Sequence, residues 1–323
     1  MQVIEVAVGV IERSDGTVLV TQRPAQSHLG GLWEFPGGKR ELNESRYQAL
    51  QRELFEEIGI RVSQAEPLIQ VVHDYGDRKV LLDVWRVTQF EGVPSACESQ
   101  SMQWVNRVSL RQLAMPAADR PIIDAIELPA HYVITPQLSG PGFERHYVEG
   151  VMQLLQQGYK LIQWRAKHLT PALYQSIGSS LLALCRAANA RLVFNASAQT
   201  VQTLGGDAIH LTAARAQQYI DRTNALPEHW WVGVSCHSLG DLKIAEQLNA
   251  NFVVISPIKA TQSHPEAKAM GWTECETFVK AAPLPVYALG GLRLEDLPQA
   301  RRVGAQGIAA IRAFWPESPE LKS

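Results

Sequence analysis

Residues 37–60, GGKRELNESRYQALQRELFEEIGI, place a pair of glycines in front of an acidic segment with helical periodicity. Glu53, Glu56 and Glu57 share one face of the predicted helix, and an apolar stripe lies about a quarter of a turn away. Like charges at this spacing destabilise a helix by about 0.2–0.5 kcal/mol per pair. A hard divalent cation reverses that repulsion, so the segment predicts a magnesium site, with manganese as the alternative ion. The competing interpretation is a solvated, charged helix face.

The glycines around this helix have backbone roles. Gly37 and Gly38 permit a sharp turn that brings a carbonyl close to the metal, and we therefore predict Gly37 as a backbone ligand. Gly59 is positioned to end the helix. Turn, helix and turn are thus expected to form one unit.

The composition of the 323-residue chain favours a globular protein of two domains. A net charge of -2 gives no field that would attract a nucleic acid polymer or a membrane surface. The four cysteines form no CxxC pair, so neither a zinc knuckle nor a redox dithiol is indicated. The N-terminal residues lack a basic leader with an apolar run, and we expect a cytoplasmic protein.

Two kinds of secondary-structure pattern follow each other along the chain. Residues 1–129 predict a mixed α+β domain, in which two strands are joined at Tyr75 to Arg78. In residues 130–323 short apolar strands alternate with amphipathic helices. The predicted strands are HYVIT, LIQWRA, RLVFNA, DAIHLT, WVGVSCH, FVVISPI, VYALGG and GIAAIRA. Eight such repeats predict a (β/α)8 barrel, and a doubly wound open sheet remains the alternative.

The acidic helix also carries a demanding pattern of fixed positions. It resembles the Nudix box, whose positions are filled by Gly38, Glu44, Arg52, Glu53, Leu54, Glu56, Glu57, Gly59 and Ile60. The resemblance implies a hydrolase of nucleoside diphosphates linked to another moiety, with Glu53, Glu56 and Glu57 binding the metal. It also implies that Glu53 deprotonates the attacking water, and that Glu44 and Arg52 support the arrangement. Metal-activated water makes a covalent nucleophile unnecessary.

The resemblance extends over residues 3–128. The stretches AVGVIE, TQRPAQSHLGGLWEFPGGKRE, YGDRKVLLDVW and PAADRPII are similar to the MutT-type branch, the 8-oxo-dGTP diphosphatases that sanitise nucleotide pools in support of DNA repair. The similarity implies nucleotide contacts from Arg23, His28, Phe35, Asp77 and Arg78. It also implies that Glu98 is a further acidic group at the metals. The ordinary alternatives are a core role for Phe35, a loop position for His28 and a turn salt bridge between Asp77 and Arg78.

One position departs from this branch. Asp119 stands where a bacterial enzyme of the branch has an asparagine that reads the oxidised purine. A carboxylate accepts a hydrogen bond from the N7 proton of an 8-oxo base, but it cannot also donate to O6. We therefore expect either an altered discrimination between bases or a different substrate.

The second half resembles thiamine phosphate synthase, a barrel that joins a pyrimidine diphosphate to a thiazole phosphate. LIQWRAKHLT, VGVSCHSLGDLKIAEQLNANFVVISPI and VYALGGLRLEDLPQARRVGAQGIAAIRAF carry the resemblance, over residues 131–315. It implies a phosphate-bearing ligand held by Gln163, Arg165, Lys167, Asn195, Ser235, Thr261, Gly290 and Gly291. A thiamine phosphate-like ligand in the barrel follows from this.

The magnesium ligands of the synthase are missing from the barrel. Asn195 is followed by Ala196 instead of an aspartate, Arg215 replaces an acidic residue, and His264 replaces a lysine. Without the acidic pair, a pyrophosphate leaving group loses its stabilisation. We therefore expect a degenerate barrel, either a relic kept for stability or dimerisation or a ligand-binding domain.

The leading hypothesis is a magnesium-dependent pyrophosphohydrolase of oxidised purine nucleotides, which converts 8-oxo-dGTP to 8-oxo-dGMP and pyrophosphate. The first alternative is hydrolysis of a thiamine-related diphosphate, with the barrel binding the ligand. The second is a bifunctional enzyme that also has thiamine phosphate synthase activity. The third is a non-catalytic barrel that governs the hydrolase.

Overall fold

The computed structural model describes residues 3–220, 226–261, 266 and 268–316. The chain divides into two compact units after Glu127, with the stretch Lys280–Pro285 assigned to the first unit. The boundary that we expect between residues 129 and 130 stays a prediction. Within the described residues, no helix combines the length and the apolar character that crossing a bilayer requires.

The first unit is an α+β fold, as the sequence predicts. Its elements are β1 (Val3–Ile11), β2 (Thr17–Gln22), β3 (Trp33–Glu34), β4 (Gly37–Lys39), α1 (Arg46–Ile58), β5 (Arg61–Asp74), β6 (Lys79–Glu91), β7 (Met102–Asn106), α2 (Arg107–Leu110), a 3-10 helix (Ala117–Asp119) and α3 (Arg120–Glu127). One sheet has the order β4-β1-β6-β5 and the other the order β3-β2-β7. The predicted connection from Tyr75 to Arg78 is confirmed, because β5 ends and β6 begins on either side of it.

Helix α1 has clear start and stop signals. Ser45 caps its first turn in a capping box with Gln48, and Gly59 ends it in the left-handed conformation at φ 72°. Leu50, Leu54 and Ile58 are fully buried against the sheet. Burial of each such side chain is worth about 1.5–3 kcal/mol. This packing fixes the rotation of α1 and therefore the direction in which its carboxylates point.

Strand β4 brings the glycine turn next to α1. Ala7 of β1 lies opposite Gly38 and Val8 lies opposite Gly37, in an antiparallel pair. A β-carbon on Gly37 would collide with the carbonyl of Ala7, and one on Gly38 would collide with the carboxylate of Glu53. Glycine at position 37 is therefore required by the backbone of β1, and at position 38 a β-carbon would displace the carboxylate of Glu53.

The second unit is a closed barrel of eight parallel strands. Its elements are β8 (His131–Ile134), α4 (Phe143–Gln156), β9 (Leu161–Trp164), α5 (Pro171–Ala187), β10 (Arg191–Phe194), α6 (Ala198–Thr203), β11 (Ala208–Thr212), α7 (Ala213–Ile220), β12 (Trp231–Cys236), α8 (Leu239–Gln247), β13 (Phe252–Ile255), α9 (Gly271–Ala281), β14 (Val286–Leu289), a 3-10 helix (Leu294–Asp296), α10 (Leu297–Arg302) and β15 (Gly307–Ala310). Strand β15 pairs with β8 and closes the circle. Closure confirms the predicted barrel and excludes the open sheet.

The barrel interior is filled and not hollow. Tyr132, Phe252 and Tyr287 are fully buried in its core, and their rings contact one another edge-on or tilted at centroid distances of 5.2–5.6 Å. All eight strands run parallel, so the residues that follow them gather at the carboxyl end of the barrel, where enzymes of this architecture carry their ligands.

Candidate functional site

Arg52 of α1 gathers three carboxylates, two from the same helix and one from the residues before it. Its guanidinium donates to both oxygens of Glu44, at 2.6 and 3.0 Å, and to Oε1 of Glu53 at 2.9 Å. It also contacts Oε2 of Glu56 at 3.0 Å and the carbonyl of Lys39 at 3.0 Å. The structure thus brings together two predicted metal ligands, Glu53 and Glu56, and the two residues predicted to support them, Glu44 and Arg52.

Glu57 lies on the inner side of the same helix. It is 9% exposed, and its Oε2 accepts a hydrogen bond from the backbone N–H of Gly37 at 2.7 Å. The predicted backbone ligand and the predicted carboxylate ligand are therefore neighbours. The main chain of Glu57 also holds the following loop, because its carbonyl accepts from the N–H of Cys97 and from the side chain of Gln100.

The environment separates the proton affinities of these carboxyl groups. Hydrogen bonds from Arg52 and from the backbone of Glu41 lower the pKa of Glu44 to about 2. Burial raises the pKa of Glu53 despite its contact with Arg52. Burial likewise raises the pKa of Glu57 to about 7, although Gly37 donates to it. Glu53 and Glu57 thus lack sufficient positive charge nearby to compensate their burial.

The donor set fits a hard divalent cation. One oxygen each of Glu53 and Glu56 lies outside the contacts with Arg52, and Glu57 is a buried carboxyl group whose ionisation a cation would favour. In the part of the chain that the structure describes, no three His, Cys, Asp or Glu side chains are already gathered around one point as metal ligands would be. The fit therefore rests on the chemistry of the donors and not on a preformed coordination shell.

Glu98 is less closely integrated. Its side chain is exposed, and its own backbone N–H donates to the side chain of Gln100. No contact joins its carboxylate to the carboxylates of α1 in the structure. The loop that carries it is nevertheless attached to α1 through Gln100. Its role as a further metal ligand stays a prediction.

A second group of polar side chains contains several of the residues that the sequence predicts to contact the nucleotide. Arg23 forms an ion pair with Glu34 and donates to the carbonyl of His28 at 2.8 Å. The ring of His28 contacts Tyr75 edge-on, with the centroids 5.3 Å apart. Burial raises the pKa of the Tyr75 hydroxyl, and the charge of the nearby Asp119 raises it further. Arg23, His28 and Asp119 thus belong to one group around Tyr75 and Glu34, and their contacts with a nucleotide stay predictions.

Glu34 and Tyr75 are members of this group that the sequence interpretation missed. Glu34 lies directly before Phe35 in the quoted stretch WEFPGGK, and Tyr75 begins the quoted stretch YGDRK. Both residues belong to the stretches that are similar to the MutT-type branch, and this similarity could have identified them as site residues. Their pairing with Arg23 and His28 depends on the fold.

Asp119 is the most buried member of this group. It is 5% exposed, and no ion pair or side-chain hydrogen bond joins it to another described residue. Burial, reinforced by the charge of Glu34, raises its pKa well above the usual range, and Arg23 opposes this only in part. Burial thus favours the neutral acid, which both donates and accepts a hydrogen bond. In that form the aspartic acid presents the same two functions as an asparagine amide.

Three predicted nucleotide contacts have the ordinary roles that the sequence left open. Phe35 is 3% exposed and belongs to the hydrophobic core of the first unit. Asp77 and Arg78 form an exposed ion pair at 2.8 Å in the turn between β5 and β6. His28 is near enough to contribute to the lowered pKa of Asp77, after the larger effect of Arg78. In the structure, Phe35 is a packed core side chain, and Asp77 and Arg78 form a turn next to His28. Nucleotide contacts from Phe35, Asp77 and Arg78 stay predictions.

A chain of four buried or half-buried polar side chains crosses the barrel. Gln163 donates to the hydroxyl of Tyr132 at 2.8 Å, and that hydroxyl lies 3.2 Å from Nδ1 of His210, to which we assign its proton. Burial, with the charges of Arg165 and Lys167, lowers the pKa of His210 to about 3 and keeps the ring neutral. Its Nε2 then carries the proton and donates to Oγ of Ser235 at 2.8 Å.

The direction of this chain determines what the barrel offers a ligand. Because Ser235 accepts from His210, its own hydroxyl proton is left for a ligand. Sequence analysis found Gln163 and Ser235 but missed Tyr132 and His210. The signal was weak, since one tyrosine and one histidine in apolar strands are usually core residues.

The remaining predicted barrel residues lie at the carboxyl ends of strands. Oδ1 of Asn195 is buried without a hydrogen-bond partner. Gly290 and Gly291 follow β14 at φ 104° and 66°, and a β-carbon on either would collide with the segment after β13. Thr261 ends the described part of that segment, and His264 lies outside the described residues.

A divalent cation does not fit the barrel in the way that the synthase resemblance implies. The expected acidic positions hold Ala196 and Arg215. The charges that act on Lys167 are those of Arg165 and Arg215, and both are positive. Of the side chains of Asn195, Ala196 and Arg215, Asn195 alone has a carbonyl oxygen, Oδ1, and none has a carboxylate. This surrounding repels a cation and attracts an anion.

Comparison with known proteins bears on both units. The family model described as "Thiamine monophosphate synthase" matches residues 131–314, and the model described as "NUDIX domain" matches residues 7–125. The first match covers more than half of the chain. The chain belongs to the thiamine monophosphate synthase family and carries an N-terminal Nudix domain.

Individual relatives resemble one domain each. A "CTP pyrophosphohydrolase" of Escherichia coli (strain K12) is 42% identical over 125 residues, which are 39% of this chain and 92% of the relative. An "8-oxo-dGTP diphosphatase" of Proteus vulgaris is 50% identical over 88 residues, 27% of this chain and 79% of the relative. A "Putative thiamine-phosphate synthase 2" of Aquifex aeolicus (strain VF5) is 31% identical over 190 residues, 58% of this chain and 99% of the relative. The Nudix domain is therefore an enzyme of the hydrolase class, similar to 8-oxo-dGTP diphosphatases, and hydrolases of this family generally depend on divalent metal.

Proposed function

We propose that the Nudix domain hydrolyses nucleoside triphosphates with an oxidised purine, such as 8-oxo-dGTP, and that Mg2+ serves as its cation. Water cleaves the phosphoanhydride between the α and β phosphorus atoms and yields the nucleoside monophosphate and pyrophosphate. The observation that carries the choice of base is the buried carboxyl group of Asp119. Its neutral form donates to O6 and also accepts from N7–H, as an asparagine does.

The residues of α1 have distinct tasks in this reaction. A divalent cation, when bound, acidifies water and neutralises the phosphates. Glu53, whose pKa is raised by burial, is the group that accepts a proton from the attacking water. Arg52 holds Glu44, Glu53 and Glu56 at fixed positions through its hydrogen bonds. Gly37 orients Glu57 through its backbone N–H.

A second substrate has a specific argument in its favour. A relative with 42% identity is named a CTP pyrophosphohydrolase, and an ionised Asp119 would accept from the amino group of cytosine. The two substrates require opposite protonation states of one side chain. Their competition therefore depends on pH.

The test compares kcat/KM of the full chain for 8-oxo-dGTP, dGTP, CTP and thiamine diphosphate with Mg2+. We expect 8-oxo-dGTP to be the best substrate, and Glu53→Gln to abolish turnover with an unchanged circular dichroism spectrum. A preference for CTP would make the cytosine nucleotide the substrate, and a preference for thiamine diphosphate would refute nucleotide hydrolysis. Near-normal activity of Glu53→Gln would remove Glu53 from the chemistry.

We also propose that the barrel binds a phosphorylated ligand of the thiamine phosphate type. The observation that carries this is Oδ1 of Asn195, which is buried after β10 without a hydrogen-bond partner, because an unpaired buried polar atom is costly unless a ligand satisfies it. Thiamine monophosphate should raise the melting temperature of the barrel in the full chain. An unchanged melting temperature at saturating thiamine monophosphate would favour a barrel that is a relic without a ligand.

A further inference from the structure

Three cations gather at the carboxyl end of the barrel. Arg165 and Lys167 follow β9, and Arg215 lies in the first turn of α7, directly after β11. Burial and then the charges of Arg165 and Arg215 lower the pKa of Lys167. The charges of Arg165 and Lys167 also act on His210, which lies inside the barrel below them. The three side chains therefore share one electrostatic environment, which we call the cationic mouth.

The cationic mouth has no countercharge in the described part of the chain. Among the described residues, no ion pair or hydrogen bond involves the side chain of Arg165, Lys167 or Arg215. Their main chains do form hydrogen bonds, between Arg165 and Oγ1 of Thr135 and from the N–H of Arg215 to Oγ1 of Thr212. Acidic residues that follow other strands are already engaged. Asp241 accepts from the backbone N–H of His237 at 2.8 Å, and Asp296 is paired with Lys259 at 2.7 Å. Three neighbouring cations without an anion repel one another, and an anionic ligand removes that cost.

Two further atoms near the carboxyl ends of barrel strands independently indicate a polar ligand. Oδ1 of Asn195 is buried and has no hydrogen-bond donor, so a ligand that donates would satisfy it. The hydroxyl of Ser235 has its proton free for an acceptor, because the oxygen already accepts from His210. An acceptor-rich phosphate fits Ser235 and the cations, and a donor elsewhere on the ligand fits Asn195.

We propose that the cationic mouth binds a phosphomonoester or diphosphate without a divalent cation, with Arg215 supplying the positive charge that a metal ion would bring. This inference rests on the proposed ligand-binding role of the barrel and adds the chemistry of that binding. Arg215 takes the place of an acidic residue in the family pattern, so the substitution exchanges a metal ligand for a direct ligand of phosphate. A guanidinium contacts phosphate oxygens through two parallel hydrogen bonds, which a metal-binding carboxylate cannot do.

The experiment measures binding of inorganic pyrophosphate and of thiamine monophosphate to the full chain by calorimetry, once in EDTA and once in Mg2+. The variants are Arg215→Gln, Arg215→Lys and, as a matched control, Arg302→Gln. Arg302 is an exposed arginine that ends α10, at the opposite end of the barrel. Glu53→Gln serves to separate the barrel from the Nudix domain, which binds phosphates through its own cation.

We expect binding in EDTA that Mg2+ does not tighten. Arg215→Gln should weaken it by about tenfold or more, as expected for a charged hydrogen bond, and Arg215→Lys should recover part of that loss. Arg302→Gln and Glu53→Gln should leave it unchanged. Binding of both phosphates would indicate recognition of the phosphate itself, and binding of thiamine monophosphate alone would add recognition of the ring.

Several results would overturn the inference. Binding that appears only in Mg2+ and persists in Glu53→Gln would place a metal-dependent site in the barrel and leave its ligand-binding role intact. Binding that appears only in Mg2+ and is lost in Glu53→Gln would belong to the Nudix domain and refute both the inference and the proposed role of the barrel. Equal affinities of wild type and Arg215→Gln would remove Arg215 from the site. Loss of metal-free binding in Glu53→Gln would assign it to the Nudix domain. No binding of either compound, in EDTA or in Mg2+, would refute both the inference and the proposed role of the barrel.

Discussion

Replacing Glu57 with glutamine should make the metal-free Nudix domain more stable at alkaline pH. Burial raises the pKa of this carboxyl group from 4.5 to about 7. A pKa that is higher in the folded than in the unfolded state stabilises the fold below the unfolded value, and this contribution disappears as the pH rises through the folded value. In the wild type, Glu57 therefore lowers stability between about pH 5 and pH 8.

The size of the effect follows from the displacement of the pKa. Each tenfold change in proton affinity corresponds to about 1.4 kcal/mol, so Glu57 costs the fold about 2–3 kcal/mol at about pH 8 relative to about pH 5. The side chain is only 9% exposed, so solvent screens little of this cost. A neutral glutamine of nearly the same volume avoids it. The variant should therefore gain about 2–3 kcal/mol over the wild type across this pH range.

The assay must follow the Nudix domain within the full chain. Hydrogen exchange measured by mass spectrometry on peptides from α1 and β1, in EDTA, reports the free energy of their opening. Glu56→Gln is the matched control, because Glu56 is the adjacent carboxylate and its side chain is 51% exposed. The control should show the pH dependence of the wild type. At about pH 8, Mg2+ at 100 times its dissociation constant should raise the opening free energy of the wild type by about 2.7 kcal/mol. The same Mg2+ concentration should change the opening free energy of Glu57→Gln little.

The reasoning fails if wild type and Glu57→Gln show the same change in opening free energy between the two pH values. It also fails if Mg2+ protects both proteins equally, because Glu57 would then not contribute to cation binding. Equal gains in Glu57→Gln and Glu56→Gln would show that the effect is general repulsion on α1 and not the burial of one carboxyl group.

Three further outcomes are expected in the Nudix domain. Arg52→Met should release Glu44 and Glu53 and lower kcat by about 100-fold, and a value within about twofold of wild type would show that the carboxylates hold their positions without Arg52. Gly38→Ala places a methyl group against Glu53 and should also lower kcat by about 100-fold with the circular dichroism spectrum retained, whereas normal kinetics would mean that the turn relaxes freely. The preference of the wild type for 8-oxo-dGTP over dGTP should decline as the pH rises and Asp119 ionises, and Asp119→Asn should make the ratio of kcat/KM values independent of pH. A wild-type ratio that is constant with pH would exclude the neutral carboxyl group as the reader of the base.

Much of the Nudix site can be predicted from local sequence. Helical periodicity alone puts Glu53, Glu56 and Glu57 opposite or beside the apolar stripe, and the capping residues Ser45 and Gly59 set the ends of the helix. The helix keeps these relations because its geometry depends on hydrogen bonds between near neighbours in the chain. The same is true of the eight strand and helix repeats that predict the barrel.

Contacts between distant segments are not accessible in this way. A loop separates Arg23 and Glu34 in the sequence. Asp119 interacts electrostatically with both, although it lies about 85 positions or more further along the chain. Tyr132 and His210 are separated by 78 positions and meet only because the barrel closes. No local pattern encodes such pairs, since they depend on how sheets and helices pack.

The sequence by itself determined the elements, the order of the two folds and the shared helix that carries Glu53, Glu56 and Glu57, because these follow from periodicity and from fixed spacing along the chain. Tertiary structure alone decided the ionisation of Asp119 and Glu57, the direction of the hydrogen bonds from Gln163 to Ser235, and the lack of a countercharge around Arg215. The physical reason is that proton affinity and hydrogen-bond direction depend on desolvation and on neighbours in space, and both arise only when distant segments are packed together.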